Sequence, residues 1–176
     1  MKKAIILSLY LTAITLICGS ILFYMNQLTI PLITSQAEKE QKVALKKVMP
    51  KATDFVLQES KENEVYSCLS AEKKLCGYII KVSPSGYSGK IDMLVGISNG
   101  KITGISILKQ TETPGLGAKS TEKTFQEQFT AKSIEDAFIA KKDVRAITGS
   151  TITSQAVSDG IKTAIAVYKN LIIKKE

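Results

Sequence analysis

The sequence predicts an α+β protein: an N-terminal transmembrane helix, then an antiparallel sheet, then a C-terminal amphipathic helix. Three observations carry that reading. Residues 4–25 form an apolar run without charge, Asn99-Gly100 separates two β-branched runs, and apolar residues recur every three or four positions between Ser154 and Ile172.

The first element follows from length. Residues 4–37 contain no Asp, Glu, Lys or Arg, and Ala4 to Met25 is almost wholly apolar. A run of about 20 apolar residues matches the hydrocarbon thickness of a bilayer. A secretory signal has a shorter apolar region, roughly 7–15 residues, and a small-residue cleavage site. Asn26-Gln27-Leu28-Thr29 offers no such site, so the run reads as a retained anchor. Lys2 and Lys3 flank it on one side only. Positive residues stay in the cytoplasm, which places the N-terminus inside a single-pass cell (inner) membrane protein and the bulk of the chain outside. Residues 1–28 are thus read as cytoplasmic start and anchor.

Thr29-Ile30-Pro31-Leu32 marks the membrane exit, where proline suits the first turn of a new helix. Glu38 to Val48 then reads as a charged helix with Val43, Ala44, Leu45 and Val48 on one side, ending before Pro50. Residues 29–50 are expected to form a juxtamembrane stalk, and 51–176 one extracytoplasmic domain.

Strand signals fill the first half of that domain. Residues 54–57 and 64–68 are short candidates, and 77–82, 91–97 and 101–107 are stronger, being β-branched and apolar. Asn-Gly between two such runs is a hairpin signal. Ser120 to Phe129 reads as a short helix with hydroxyls at its start, and Val144 to Ile147 as a short strand. The final helix, Ser154 to Ile172, gathers Val157, Ile161, Ala164, Ile165, Tyr168 and Ile172 on one face. Lys174 and Lys175 suit the negative end of its dipole.

Composition excludes several chemistries. The net charge is +8, and from Glu38 onward 22 Lys and Arg face 16 Asp and Glu, a balance of +6. The lysines are scattered and Arg145 is the sole arginine. Nucleic acid is therefore not expected as a partner, since its footprint is a clustered basic patch; a mildly basic surface near lipid headgroups is. Without histidine there is no His-ligated haem or zinc and no Ser-His-Asp triad. Three cysteines without a C-x-x-C exclude a c-type haem or an iron–sulfur cluster, and no metal site is expected. An electron carrier in this chain has to be organic. Cys18 lies in the anchor. Cys68 and Cys76 flank a polar loop and are a candidate disulfide in an oxidising compartment, two reduced thiols being the alternative.

The candidate residues for chemistry are Thr148-Gly149-Ser150-Thr151-Ile152-Thr153-Ser154, the other reading being hydroxyls that only cap the helix and form its turn. Hydroxyls and backbone N–H groups gathered before a helix favour a phosphate, because the helix N-terminus has unpaired donors and positive polarity. Ser154 or Thr153 can cap the helix, which leaves Thr148 and Thr151 without a capping role. Earlier in the chain, Glu112-Thr113-Pro114-Gly115-Leu116-Gly117 makes a fixed turn whose backbone can approach a ligand closely; a purely structural turn is the other reading.

Three blocks occur in order: Asn26 to Ile33 with Val48-Met49-Pro50-Lys51-Ala52, Gly77-Tyr78 with the hairpin and Glu112–Gly117, and Ala146 to Ser154. Together they resemble the G subunits of the Rnf ion-translocating ferredoxin–NAD oxidoreductases and, more distantly, the C subunits of sodium-translocating NADH–quinone oxidoreductases. Thr148 to Thr151 resembles the S/T-G-A-T motif of those proteins. The resemblance implies an FMN-binding domain with FMN held covalently through a phosphoester to Thr151, installed by a flavin transferase. It implies a phosphate pocket shaped by Thr148, Gly149, Ser150, Thr153 and Ser154. Glu112 and Thr113, in the loop with Gly115, Leu116 and Gly117, are expected near the ring or ribityl chain. The partners implied are the other membrane subunits of a redox-driven ion pump, within which the chain relays electrons and contributes no catalytic residue. Ser150 stands where the motif has Ala, and Arg145 where it has Asp; Asp143 lies two residues earlier. The alternatives are a C-type subunit, a stand-alone flavin carrier outside the membrane, or a docking module without flavin.

Overall fold

The computed structural model describes residues 2–59 and 64–173; the lysines expected to complement the last helix, Lys174 and Lys175, lie outside them. The chain divides into two compact units, Met1–Glu40 and Gln41–Glu176.

Helix α1 runs Lys2–Val48 with Pro31 inside it. The expected restart at the membrane exit does not occur: proline removes one backbone donor, and the helix continues past it. From Ile5 onward α1 is long and apolar enough to span a bilayer, and large apolar side chains along it, among them Leu9, Leu16, Phe23 and Ile30, are exposed. Its hydroxyls fold back on the backbone. Thr12, Thr15, Ser20 and Thr29 each donate to the carbonyl four residues earlier, at 2.8–3.1 Å. Such bonds satisfy polar groups on a surface that lipid can cover.

The second unit is built on a five-stranded antiparallel meander in sequence order: β1 Asp54–Glu59, β2 Glu64–Leu69, β3 Leu75–Val82, β4 Asp92–Ser98 and β5 Lys101–Lys109. All five candidate strands form, extended by a few residues where pairing continues. Asn99 (φ 48°) and Gly100 (φ 71°) make the β4–β5 turn with both central residues left-handed, the geometry that Asn-Gly favours.

Both faces of the sheet are covered, and alternation along the strands sorts the side chains. Val65, Tyr78, Ile80, Val82, Met93, Val95 and Ile97 point into one core, under helix α3 (Thr151–Ile173), with Phe125, Phe129 and Phe138. Tyr66, Cys68, Ile79 and Leu94 point into the other, under the end of α1. There Ala44, Leu45, Val48 and Met49 are buried, so Gln41–Met49, within the segment expected as a stalk, packs as core. Val43, expected on that apolar side, faces solvent at 70% exposure. The close packing depends on two glycines paired across β4 and β5, Gly96 and Gly104. A β-carbon on Gly96 would stand 2.5 Å from a Val48 methyl, and one on Gly104 would stand 3.3 Å from the Val48 carbonyl.

The expected helix at 120–129 is broken into a 3-10 turn at Gly117–Thr121, one α-turn (α2, Lys123–Gln126) and a second 3-10 turn at Glu127–Phe129. On α3, Val157, Ile161, Ala164, Ile165 and Tyr168 are buried as expected, while Ile172 is 39% exposed. Tyr168 meets Tyr78 edge to face, centroids 5.9 Å apart.

Candidate functional site

The hydroxyl-rich segment lies at the beginning of α3, which starts at Thr151, three residues before the expected start. Ser150 accepts the first helical bond through its carbonyl, from the Ser154 N–H at 3.0 Å, and so occupies the capping position. This corrects the expectation that Ser154 or Thr153 caps the helix. Ser154 is fully buried one turn in, donating its hydroxyl to the Ser150 carbonyl at 2.9 Å and accepting the Ile147 N–H at 2.9 Å. It pins the approach chain to the helix. Gly149 has φ 78°, and a β-carbon there would come within 3.0 Å of a Leu116 methyl. A left-handed backbone costs an L-residue roughly 1–2 kcal/mol, so glycine suits this turn on conformation and on space.

The short strand expected at Val144 to Ile147 does not form, apart from a single bridge between Ala140 and Val144. A side chain takes the place of a neighbouring strand. The Gln128 amide donates to the Arg145 carbonyl at 3.2 Å and accepts the Arg145 N–H at 2.7 Å. Asp143, two residues before Arg145, is engaged within its own loop. Its carboxylate accepts the N–H of Phe138 at 2.8 Å and of Ile139 at 2.6 Å, with Lys132 at 3.6 Å. Burial pushes the Asp143 carboxyl up, but those N–H bonds and the Lys132 charge outweigh it and hold it below the usual carboxylate range.

Glu112 is nine-tenths buried, at 4% exposure. One carboxylate oxygen accepts the Thr153 hydroxyl at 2.5 Å and the other the Ser88 N–H at 2.9 Å. Gly117 leaves room for this contact, since a β-carbon there would stand 2.7 Å from both the Glu112 carboxylate and the Thr153 hydroxyl. The loop 112–117 is thereby tied to the first turn of α3.

Between them opens a cleft of about 550 Å³ lined by Tyr87, Glu112, Thr113, Leu116, Gly117, Lys141 and Gly149 to Thr153. That is within the range of small-molecule and cofactor sites, ~300–1,000 Å³. Of the residues expected at the site, Glu112, Thr113, Leu116, Gly117, Gly149, Ser150, Thr151 and Thr153 come together here. Thr148 lines the neighbouring cleft, with Arg145 and Lys119. Gly115, at φ 77°, and Ser154 line neither. Tyr87, Lys141 and Ile152 also line the cleft. Of these, Tyr87 carried only the signal of a glycine- and serine-rich turn, and Lys141 none beyond a Lys-Lys-Asp run.

Among the described residues, the half-buried Thr151 hydroxyl has no hydrogen-bond partner. The N–H groups of the first turn likewise precede any helical acceptor. An unengaged hydroxyl, open donors and a glycine without a β-carbon fit the phosphate end of a nucleotide. The Glu112 carboxylate is turned to Thr153 and Ser88 and acts as a strut. Cys68 and Cys76, read as a candidate disulfide, are free thiols here. Cys76 is the residue skipped by a bulge opposite Cys68 and Leu69, and its thiol donates to the Cys68 carbonyl at 3.2 Å.

Residues 86–166 match the FMN-binding domain family. The chain is 37% identical to the G subunit of the Na(+)-translocating ferredoxin:NAD(+) oxidoreductase complex of Acetobacterium woodii, over 94% of this chain and 91% of that protein. It is 32% identical to the G subunit of the ion-translocating oxidoreductase complex of Methanosarcina acetivorans, over 93% and 92%. The crystal structure of NqrC from Shewanella oneidensis has a similar fold, with a TM-score of 0.51 and 17% identity over 67% of each chain.

Proposed function

From the premise that this chain belongs to the family of G subunits of ion-translocating oxidoreductase complexes, we propose that it is a membrane-anchored flavoprotein holding FMN by a phosphoester to Thr151. In this role it relays electrons between other membrane subunits of the complex, and a flavin transferase makes the bond, the Thr151 hydroxyl losing its proton and displacing the nucleotide half of a flavin dinucleotide from the phosphorus it joins. Residues 1–28 include the anchor, 29–50 lead to the domain, and 51–176 complete an extracytoplasmic FMN-binding domain, with the N-terminus in the cytoplasm. Lys2 and Lys3 beside the apolar run support that orientation.

One observation carries the attachment: Thr151 opens α3, and its hydroxyl lines the cleft without a partner among the described residues. FMN, when bound, supplies acceptance of two electrons and their release one at a time. The protein contributes binding and orientation. Thr151 Oγ1 is the attachment atom, and the first-turn N–H groups together with the positive end of α3 favour the phosphoryl charge. Gly149 lets the backbone turn tightly before Thr151, and Glu112 holds the loop 112–117 against that turn through Thr153. Thr113 and Leu116 present a hydroxyl and an apolar side chain along the same cleft.

The test is the mass of the Thr151 peptide from protein made with the transferase. The expected result is an FMN-phosphoryl increment on Thr151, and loss of in-gel flavin fluorescence in Thr151→Ala. Fluorescence that persists undiminished in Thr151→Ala overturns the assignment.

A further inference from the structure

We propose that Lys141 supplies the counter-charge to the phosphoryl group on Thr151, a role that rests on the attachment argued above. Among the described residues that line the Thr151 cleft, only Glu112 and Lys141 carry charge. Glu112 is negative and already engaged by Thr153 and Ser88. A phosphodiester placed in the same cleft adds a second negative charge, and two like charges in a partly enclosed space repel. Lys141 is the cation available to offset them, and its ammonium makes no ion pair or hydrogen bond among the described residues.

The backbone around Lys141 is held in place. Phe138 and Lys141 both have left-handed φ, 48° and 68°. Each is a conformation that a non-glycine residue keeps only where its surroundings enforce it. Five hydrogen bonds enforce it here. The Asp143 carboxylate ties the N–H groups of Phe138 and Ile139. The Lys141 N–H donates to the Val144 carbonyl at 2.8 Å. Lys132 donates to the Asp143 carbonyl at 2.8 Å. The Ala140 N–H donates to the side chain of Gln155 at 2.9 Å. Gln155 stands one helical turn after Thr151, so it lies on the same side of α3. The loop is therefore fastened to the helix beside the attachment residue, and Lys141, one of its two left-handed positions, lines the cleft. Lys142, its neighbour, does not line it.

The experiment is lysine footprinting of the full chain in detergent. Protein made with the transferase is compared with protein made without it, using an amine-acetylating reagent and peptide mass spectrometry. Acetylation of Lys141 is expected to slow about tenfold when Thr151 carries FMN, the size of one hydrogen bond between charged groups, while Lys142 changes little. Lys141→Ala is expected to load flavin about tenfold more slowly on the same basis, and Lys141→Arg to load near the wild-type rate. Equal acetylation of Lys141 with and without FMN, in protein whose Thr151 peptide shows the increment, overturns this role and leaves the attachment standing. No increment on Thr151 in either preparation overturns both.

Discussion

The Thr153 hydroxyl donates to the Glu112 carboxylate across 41 residues of chain, inside the protein. The bond joins the loop that follows the sheet to the first turn of the final helix. Each partner is buried, Thr153 at 1% and Glu112 at 4% exposure. Thr153→Val leaves the carboxylate with only the Ser88 N–H, and a lost hydrogen bond to a buried charged group costs about 1.5–3 kcal/mol. Denaturant unfolding should show that loss, with a drop in flavin loading alongside it. Unchanged stability would sink the strut role of Glu112.

Gly117→Ala tests the same junction by sterics. The new β-carbon would lie 2.7 Å from both the Glu112 carboxylate and the Thr153 hydroxyl, so the pair has to separate. The expected cost is about 1–3 kcal/mol, as for other overpacked sites. Gly115→Ala is the control for space, because nothing lies within 4 Å of a β-carbon there; its only penalty is the left-handed backbone, roughly 1–2 kcal/mol.

Acid should destabilise the domain through two carboxylates. The Lys81 ammonium, 2.7 Å away, holds Glu64 below its ordinary range. Backbone N–H groups and Lys132 do the same for Asp143 against the effect of burial. A lowered folded-state pKa contributes stability that is complete above the unfolded value, about 4, and disappears as pH falls through the folded value. Thermal melts between about pH 5 and pH 2 should therefore fall more steeply for wild type than for Asp143→Asn. At pH 7 the same variant should be less stable by about 1–2 kcal/mol, having weakened the bonds from the Phe138 and Ile139 N–H groups.

Thiol chemistry should separate the two domain cysteines. Burial, with the nearby Cys76 thiol, pushes Cys68 up to about 12, so it stays protonated and unreactive in the folded domain. Cys76 is half-buried and reachable. An alkylating reagent at pH 8 should label Cys76 well before Cys68, and denaturation without reductant should release all three thiols of the chain. Two missing thiols under those conditions would show a Cys68–Cys76 bridge instead.

Much of the fold is legible in the sequence because the sheet is a meander. Each strand pairs with its sequence neighbour, so alternation and the Asn99-Gly100 turn are local signals of local pairing. Local signals mislead where distant groups decide. Val144 to Ile147 looks like a strand, yet Gln128 bonds both backbone groups of Arg145, and no pattern in the sequence links them. Val43 looks apolar and inward, but the two sheet glycines under Val48 fix which side of α1 packs. At the site, the hydroxyl cluster announces itself. The division of labour within it does not: Ser150 as cap, Ser154 as pin, Thr153 as partner of Glu112. Lys141 is invisible in the sequence because only the fastening of its loop to Gln155 brings it to the cleft.

The order of the elements has a further consequence. Ribosomes release a chain from its N-terminus, so the meander can zip hairpin by hairpin as it is made. The face bearing Ile80, Val82, Met93 and Val95 nevertheless stays bare until Val157, Ile161 and Ala164 arrive on the last helix. That late element is also the one that bears Thr151. With the attachment proposed above, a product that ends before Thr151 has neither a sealed interior nor an acceptor oxygen, so yellow colour would mark chains that have reached the last helix.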